Sequence, residues 1–225
     1  MYNVSMNKIN HNLLFNNTLK ELEKNNTVPT LLLHSCCAPC SSSVLNRLVN
    51  HFKITLLYYN PNITNFEEYE KWKKEELTLI SKINNESFPY KTKHKIDIIN
   101  CDFDNKLFFE KVKGFENEKE GGKRCEICFK MRLEKTIQLA KELNFDYFTT
   151  TLTVSPYKNS ELLNSIGKEL EEKFNVKYLY SDFKKEDGYK KSIEFSKMLN
   201  LYRQDYCGCI FSLKESLDHK NTKKD

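Results

Sequence analysis

Short apolar runs alternate along this chain with longer stretches in which apolar residues recur every three or four positions. Residues 30–33 (TLLL) form a strand-length run that stops at His34-Ser35-Cys36-Cys37. Val44, Leu45 and Leu48 then give helical spacing over 41–49, with serines suited to an N-terminal cap. A second strand over 54–59 ends in the turn signal Asn60-Pro61-Asn62, and a charged amphipathic helix follows over 66–83, most simply a solvated face. The pattern predicts a strand at 95–100, a helix at 105–113, and a break at Gly121-Gly122. After it come a helix over 126–143, a β-branched strand over 146–152, a helix over 161–174, a strand over 176–180 and a helix over 193–199.

Strands interleaved with helices of this length imply βαβ units, hence an α/β fold with a doubly wound, mainly parallel sheet and right-handed crossovers. Such sheets bind ligands beyond the carboxyl ends of their strands, near the point where strand order reverses. The loop HSCCAPC ends the first strand and opens a helix, so it stands in that place. The organisation read from the chain is a polar, Asn-rich extension over 1–28, one α/β catalytic domain over 29–212, and a polar tail over 213–225 expected to be disordered.

No apolar run approaches the ~18 residues of a membrane span, and the first residues lack the apolar stretch of a signal peptide. A cytoplasmic protein without membrane attachment is the expectation. The net charge of +5 is compatible with a polyanionic partner without demanding one.

The eight cysteines change the picture. In a reducing compartment, clustered thiols bind metal or do redox chemistry more often than they staple a fold. Cys36, Cys37 and Cys40 sit together, Cys125 and Cys128 form a CxxC, Cys207 and Cys209 form a CxC, and Cys101, read as a small core residue, stands apart. Taken as one site, Cys36, Cys37, Cys125 and Cys128 offer four thiolates, which suits tetrahedral zinc or a four-iron cluster. Their separation excludes a compact zinc ribbon, which closes over ~12–20 residues. The CxxxCxxC spacing of radical S-adenosylmethionine enzymes fails, because Ser43 stands where the third cysteine belongs. Cys207 and Cys209 can form a strained, readily reduced disulfide if Gly208 bends the chain; the other reading is two buried thiols or further metal ligands. Cys40 is either a reactive thiol in the first helical turn or a support of the loop. His34 either donates to a cluster sulfur or satisfies a backbone carbonyl.

The stretches LLLHSCCAPCSSSVL, ITLLYYNPNI, GKRCEICF with its MRL continuation, FDYFTTTLTVSPYKN and LYRQDYCGCIFS, in this order over about 30–212, resemble the QueH family of epoxyqueuosine reductases. The resemblance implies two-electron reduction of the epoxide of epoxyqueuosine to queuosine at the tRNA wobble position, the last step of queuosine biosynthesis, without cobalamin. It implies a fold like that of PP-loop, adenine-nucleotide-hydrolase-like ATPases, with the cysteine loop in place of the phosphate loop. It further implies a 4Fe–4S cluster on Cys36, Cys37, Cys125 and Cys128, a redox-active pair Cys207/Cys209, and an adjacent mononuclear iron, for which Cys40 and the Asp102/Asp104 segment are candidates. The implied partners are tRNA carrying epoxyqueuosine, through its anticodon loop, and an unidentified electron donor. Lys123, Arg124, Arg132, Lys158 and Arg203 would then meet phosphates, and Tyr157, Lys158 and Tyr206 would hold substrate or donate protons. The rival functions are a zinc-stabilised nucleic-acid-binding module and a thiol–disulfide oxidoreductase.

Overall fold

The strand TLLLHS, β1 (Thr30–Ser35), is apolar on both sides because both of its faces are covered. In the computed structural model, which describes residues 9–85 and 90–221, β1 is the centre of a five-stranded, all-parallel sheet. The order is β3-β2-β1-β4-β5, with β2 (Lys53–Tyr58), β3 (Asp97–Asn100), β4 (Tyr147–Thr150) and β5 (Lys177–Tyr178). Leu33 pairs with Leu56 on one side and Thr149 on the other. Successive β1 side chains diverge, as pleating requires. Leu31 and Leu33 pack with Val44, Leu45 and Leu48 of α2 (Ala38–Leu48) and with Leu79 and Ile83 of α3 (Phe66–Asn84). Leu32 enters a second core with Phe129, Leu133 and Ile137 of α5 (Lys123–Glu142) and Leu163 of α6 (Ser160–Phe174). These two cores make the sheet doubly wound, as the alternating pattern implied.

Three boundaries shift in ways that matter to the site. Helix α2 starts at Ala38 with Cys37 as its extended N-cap (φ −174°), earlier than the serines suggested, so Ser41–Ser43 are buried inside the helix. Pro39 in the first turn, where its missing N–H costs nothing, explains the early start. Helix α5 begins at Lys123, directly after Gly122, so both cysteines of the CxxC lie on it. Strand β4 ends at Thr150, whose hydroxyl accepts from the Leu152 amide and turns the chain into a 3₁₀ turn (Thr151–Val154).

The N-terminal extension, whose amphipathic stretch over 13–22 allowed a helix or a loosely ordered segment, is helical, and the C-terminal tail differs from expectation. Residues 11–24 form α1 (His11–Lys24), with Asn10 as N-cap, and Phe15 is buried between the Phe183 ring at 5.3 Å and the Arg47 guanidinium at 4.5 Å. Residues 213–221, expected as a disordered tail, are helical in α8 (Ile210–Asn221). A polar composition concealed this helix, which is tied down electrostatically: Glu215 accepts from Arg124 Nη2 at 3.2 Å and from the Glu120 amide at 3.1 Å. Residues 1–8 and 222–225 lie outside the described residues. Besides α4 (Lys106–Val112), the remaining helix is α7 (Gly188–Met198), packed on α2. Among the described residues no helix is long and apolar enough to cross a membrane.

The Phe15 anchor predicts that Phe15→Ala lowers unfolding stability by about 3 kcal/mol, the low end for a buried Phe because a surface helix can settle into the gap. Urea denaturation followed by circular dichroism measures it; an unchanged midpoint would show that α1 is not docked through this ring.

Candidate active site

The order β3-β2-β1-β4-β5 places the reversal of strand order between β1 and β4. Cys36 follows β1 and Thr151 follows β4, and they meet across that crevice: the Cys36 amide donates to Thr151 Oγ1 at 3.1 Å, and the Thr151 hydroxyl reaches Cys36 Sγ at 3.3 Å. The sulfurs of Cys36, Cys37 and Cys40 all lie within 4.8 Å of one another, with Cys36 and Cys37 at 3.8 Å. Cys40 sits in the first turn of α2, and the Ser41 amide bonds to the Cys37 carbonyl at 3.0 Å, so the helix start itself gathers the three thiols. The Cys36 thiol is pulled well below its ordinary value, chiefly by hydrogen bonds from Cys37 and Cys40 and also by the Arg132 charge. Cys37 and Cys40 are pushed up, chiefly because both give their protons toward Cys36 and then by desolvation, Cys37 being buried and Cys40 half-buried.

Cys125 and Cys128 are one turn apart on α5, and Arg132 is one turn further along the same face. Arg132 is 3% exposed; its Nη1 is 3.9 Å from Cys128 Sγ, its Nη2 bonds to Asn60 Oδ1, and its Nε faces His34 Nε2 at 3.3 Å. Burial, and then the Arg132 charge, lower His34 to about 3, so it is a neutral imidazole beside the Tyr59 carbonyl, the structural role. Burial raises Cys125, and raises Cys128 to about 11. The Gly121 amide donates to Cys125 Sγ at 3.3 Å.

The third thiol group comes from the segment before α8. Cys207 and Cys209 are 3.6 Å apart at sulfur, both reduced, around Gly208 at φ +93°. That conformation favours glycine, and a Cβ there would meet Ile63 at 2.8 Å and Trp72 at 3.2 Å. The Asn60-Pro61-Asn62 turn holds the segment: Asn62 Nδ2 donates to the Cys207 carbonyl at 2.7 Å, and the Thr64 amide donates to the Gly208 carbonyl at 3.2 Å. Ser212, one turn into α8, accepts from the Cys207 amide at 3.1 Å and donates to the Cys209 carbonyl at 3.3 Å. Cys207 is driven well below the ordinary thiol value by the Cys209 hydrogen bond and then by Lys158, while Cys209 is raised by its bond to Cys207 and by burial.

A cavity of about 390 Å³ joins these parts, lined by Cys36, Cys37 and Cys40 on one side and Cys207 on the other. An adjoining pocket is lined by Cys125, Cys128, Cys207 and Cys209, and Glu120, Arg132, Tyr157, Lys158 and Cys207 border both. Lys158 is largely buried, 3.9 Å from Glu120. Burial opposes its charge, but Cys207, Glu120 and Cys36 together raise its pKa. The tight sulfur group is therefore the 36/37/40 trio, with Cys125 and Cys128 outside it on the neighbouring wall. The donor set, all free thiols at two adjoining cavity walls with a buried cation between them, is of the soft type that takes iron–sulfur centres or zinc.

Several sequence expectations land elsewhere. Arg124 is 1% exposed and donates to the carbonyls of Glu116 and Glu118, so neither it nor Arg132 can meet phosphates. Lys123 is exposed and paired with Glu126 at 3.0 Å, while Arg203 reaches the cavity. Asp102 and Asp104 are exposed and line neither cavity. Cys101 packs against the second core. The helix read as a solvated face carries Trp72 into the cavity wall and buries Glu76 completely. Burial raises Glu76 to about 8, only partly offset by Ser41 and Ser35, and neither carboxyl oxygen has a partner of normal hydrogen-bond geometry among the described residues. Glu76 and Glu120 had no motif to mark them; Thr151 lay inside FDYFTTTLTVSPYKN and Ser212 inside LYRQDYCGCIFS, and both had a signal.

The sequence model of the family described as "Epoxyqueuosine reductase QueH" matches residues 31–215. Among curated relatives bearing that name, the Streptococcus pyogenes protein is 39% identical over 97% of this chain and 84% of its own length. The Staphylococcus epidermidis protein is 39% identical over 97% and 91%, and the Thermotoga maritima protein 36% over 83% and 91%.

Two outcomes are expected from this geometry. Gly208→Ala should slow disulfide formation between Cys207 and Cys209 at least about tenfold, because the left-handed bend costs on the order of 1–2 kcal/mol before the clash with Ile63 is added. Quench-alkylation and mass spectrometry read it. Glu76→Gln tests the buried carboxyl. A group raised to about 8 contributes its stability fully below the unfolded value of ~4.5 and loses it as pH rises through 8. The wild type should therefore lose a few kcal/mol, in order of magnitude, relative to Glu76→Gln between pH 5 and about 8.5. Parallel urea midpoints across that range would contradict the assignment.

Proposed function

The chain belongs to the epoxyqueuosine reductase QueH family, and on that premise we propose that its reaction takes place in the cavity between the Cys36 and Cys207 loops. The protein is an oxidoreductase that converts epoxyqueuosine in tRNA to queuosine. One observation carries the placement: a single cavity is lined at once by the 36/37/40 thiols, by Cys207, and by a lysine set between them.

Removing the epoxide oxygen to leave an alkene consumes two electrons and two protons and releases water. The Cys207/Cys209 dithiol matches that demand: oxidation to a disulfide yields two electrons and two protons, and an external low-potential donor then restores the thiols. Cys207 faces the cavity as the low-pKa thiol, with the buried Cys209 behind it as the resolving partner. Lys158 Nζ holds the epoxide oxygen and gives it a proton as the C–O bond breaks, the Glu120 carboxylate keeps that ammonium charged, and the two protons released as the dithiol closes restore Lys158 and complete the water. Trp72 and Leu152 close the walls and keep water from the reacting carbons.

Cys36, Cys37, Cys125 and Cys128 are the residues that would hold a four-iron cluster, with Cys40, whose sulfur lies beside those of Cys36 and Cys37, the thiol that would serve a second iron. When bound, such a centre supplies one-electron transfer and a Lewis-acidic site for oxygen. The free thiols on adjoining walls and the Arg132 cation beside Cys128 support this reading.

Anaerobically purified protein given epoxyqueuosine-containing tRNA and a low-potential reductant should yield queuosine in the nucleoside digest. Cys125→Ser should lose bound iron and activity together. Cys207→Ser should keep its iron and lose turnover at least about a hundredfold, as removal of a reacting group does. A colourless, zinc-loaded wild type without turnover would favour a nucleic-acid-binding module, and would end this proposal.

A further inference from the structure

Tyr157 is the most exposed of the large apolar side chains among the described residues, at 76%, yet it borders both cavities. Among the described residues no ring or cation packs on it. Its backbone is nonetheless held firmly. The Tyr157 amide donates to Ser155 Oγ at 3.3 Å, the Lys158 amide donates to the Ser155 carbonyl at 3.3 Å, and Lys184 Nζ donates to the Lys158 carbonyl at 3.4 Å. Pro156 stiffens the same turn. A rigid loop that presents a bare aromatic face at the mouth of the substrate cavity offers surface to something that comes with the substrate.

Resting on the site proposed above, we propose that Tyr157 is a stacking platform for the anticodon-loop base adjacent to epoxyqueuosine. A cavity of about 390 Å³ has the size for one nucleoside-sized group. Seating the modified base there pulls it out of the loop's own stack, so its neighbour loses a partner at the cavity mouth. Tyr157 stands at that mouth with a free face and replaces the lost stack. Lys158, the next residue, points inward beside Cys207 and Glu120, so one short turn sorts the two bases, one into the cavity and one onto the ring.

The test uses the metal-loaded, full-length enzyme with three anticodon stem-loop RNAs carrying epoxyqueuosine: intact, abasic on the 5′ side of the modified base, and abasic on its 3′ side. Tyr157→Ala should raise KM for the intact RNA about 5- to 150-fold, the equivalent of ~1–3 kcal/mol for one base stack, with kcat within about threefold. Tyr157→Phe should stay within about threefold of the wild type in both constants, because the face and not the hydroxyl is used. One of the two abasic RNAs should raise the wild-type KM by a similar factor and have no further effect on Tyr157→Ala. An unchanged KM in Tyr157→Ala overturns the proposal. So does a loss in Tyr157→Phe equal to that in Tyr157→Ala, which would make the hydroxyl the active group, or full additivity of both abasic sites with the substitution. A wild type that converts none of the three RNAs would instead strike down the assigned reaction, and this inference with it.

Discussion

A guanidinium sealed in the interior with no carboxylate beside it governs the chemistry of this protein. Arg132 is almost fully buried, and among the described residues no ion pair neutralises it. A buried charge left alone is costly, so counter-charge must come from what surrounds it. The groups within reach are the Asn60 side-chain oxygen, the neutral His34 ring and the Cys128 sulfur, with Cys36 close enough to feel the field. Burial and then this charge deny His34 a proton; the charge helps to lower Cys36, and at Cys128 it offsets part of the burial that raises the thiol. Lys158 repeats the logic on the Cys207 side. The centre is thus arranged as cations facing sulfurs, the state in which thiols ligate metal and exchange electrons.

The sheet topology explains why this balance can form. Splitting β2 and β4 to either side of β1 opens a crevice at their carboxyl ends, and the chain enters a helix immediately after β1. Helices α2 and α5 both begin at the crevice, with Cys40 in the first turn of one and Cys125 in the first turn of the other. Helix starts carry unpaired amides and positive potential, which add to the two cations in favouring sulfur anions. The CxC segment is less firmly founded. It belongs to no strand, and is held by the Asn60–Thr64 turn on one side and Ser212 on the other. A dithiol that must open and close is well served by such a mounting.

How far the chain's residues announced these features depended on whether their signals were local. The strands and most helices were legible because a sheet covered on both faces needs uninterrupted apolar runs, and its helices need one apolar stripe. The cysteine groups were legible because rare residues at short spacing stand out against any background. Glu76 and Arg124 were not: each sits among charged residues on a helix or loop that reads as solvated, and only packing shows one carboxyl and one guanidinium turned inward. Helix α8 escaped for a similar reason, since its docking runs through Glu215 to Arg124 and leaves little apolar stripe to read.

The order of strands and helices, the placing of HSCCAPC after the first strand, and the need for a bend at Gly208 followed from the sequence alone, because periodicity and glycine's conformational range act within a few residues. Which thiols share a wall did not. That 36, 37 and 40 form the tight trio, that 125 and 128 lie on the adjoining wall, and that Lys158 stands between Cys36 and Cys207 are consequences of segments up to about 170 residues apart meeting at the crevice. Distances between such segments are set by the register of β1 against β4 and by the packing of α5 beneath them, and no local pattern encodes either.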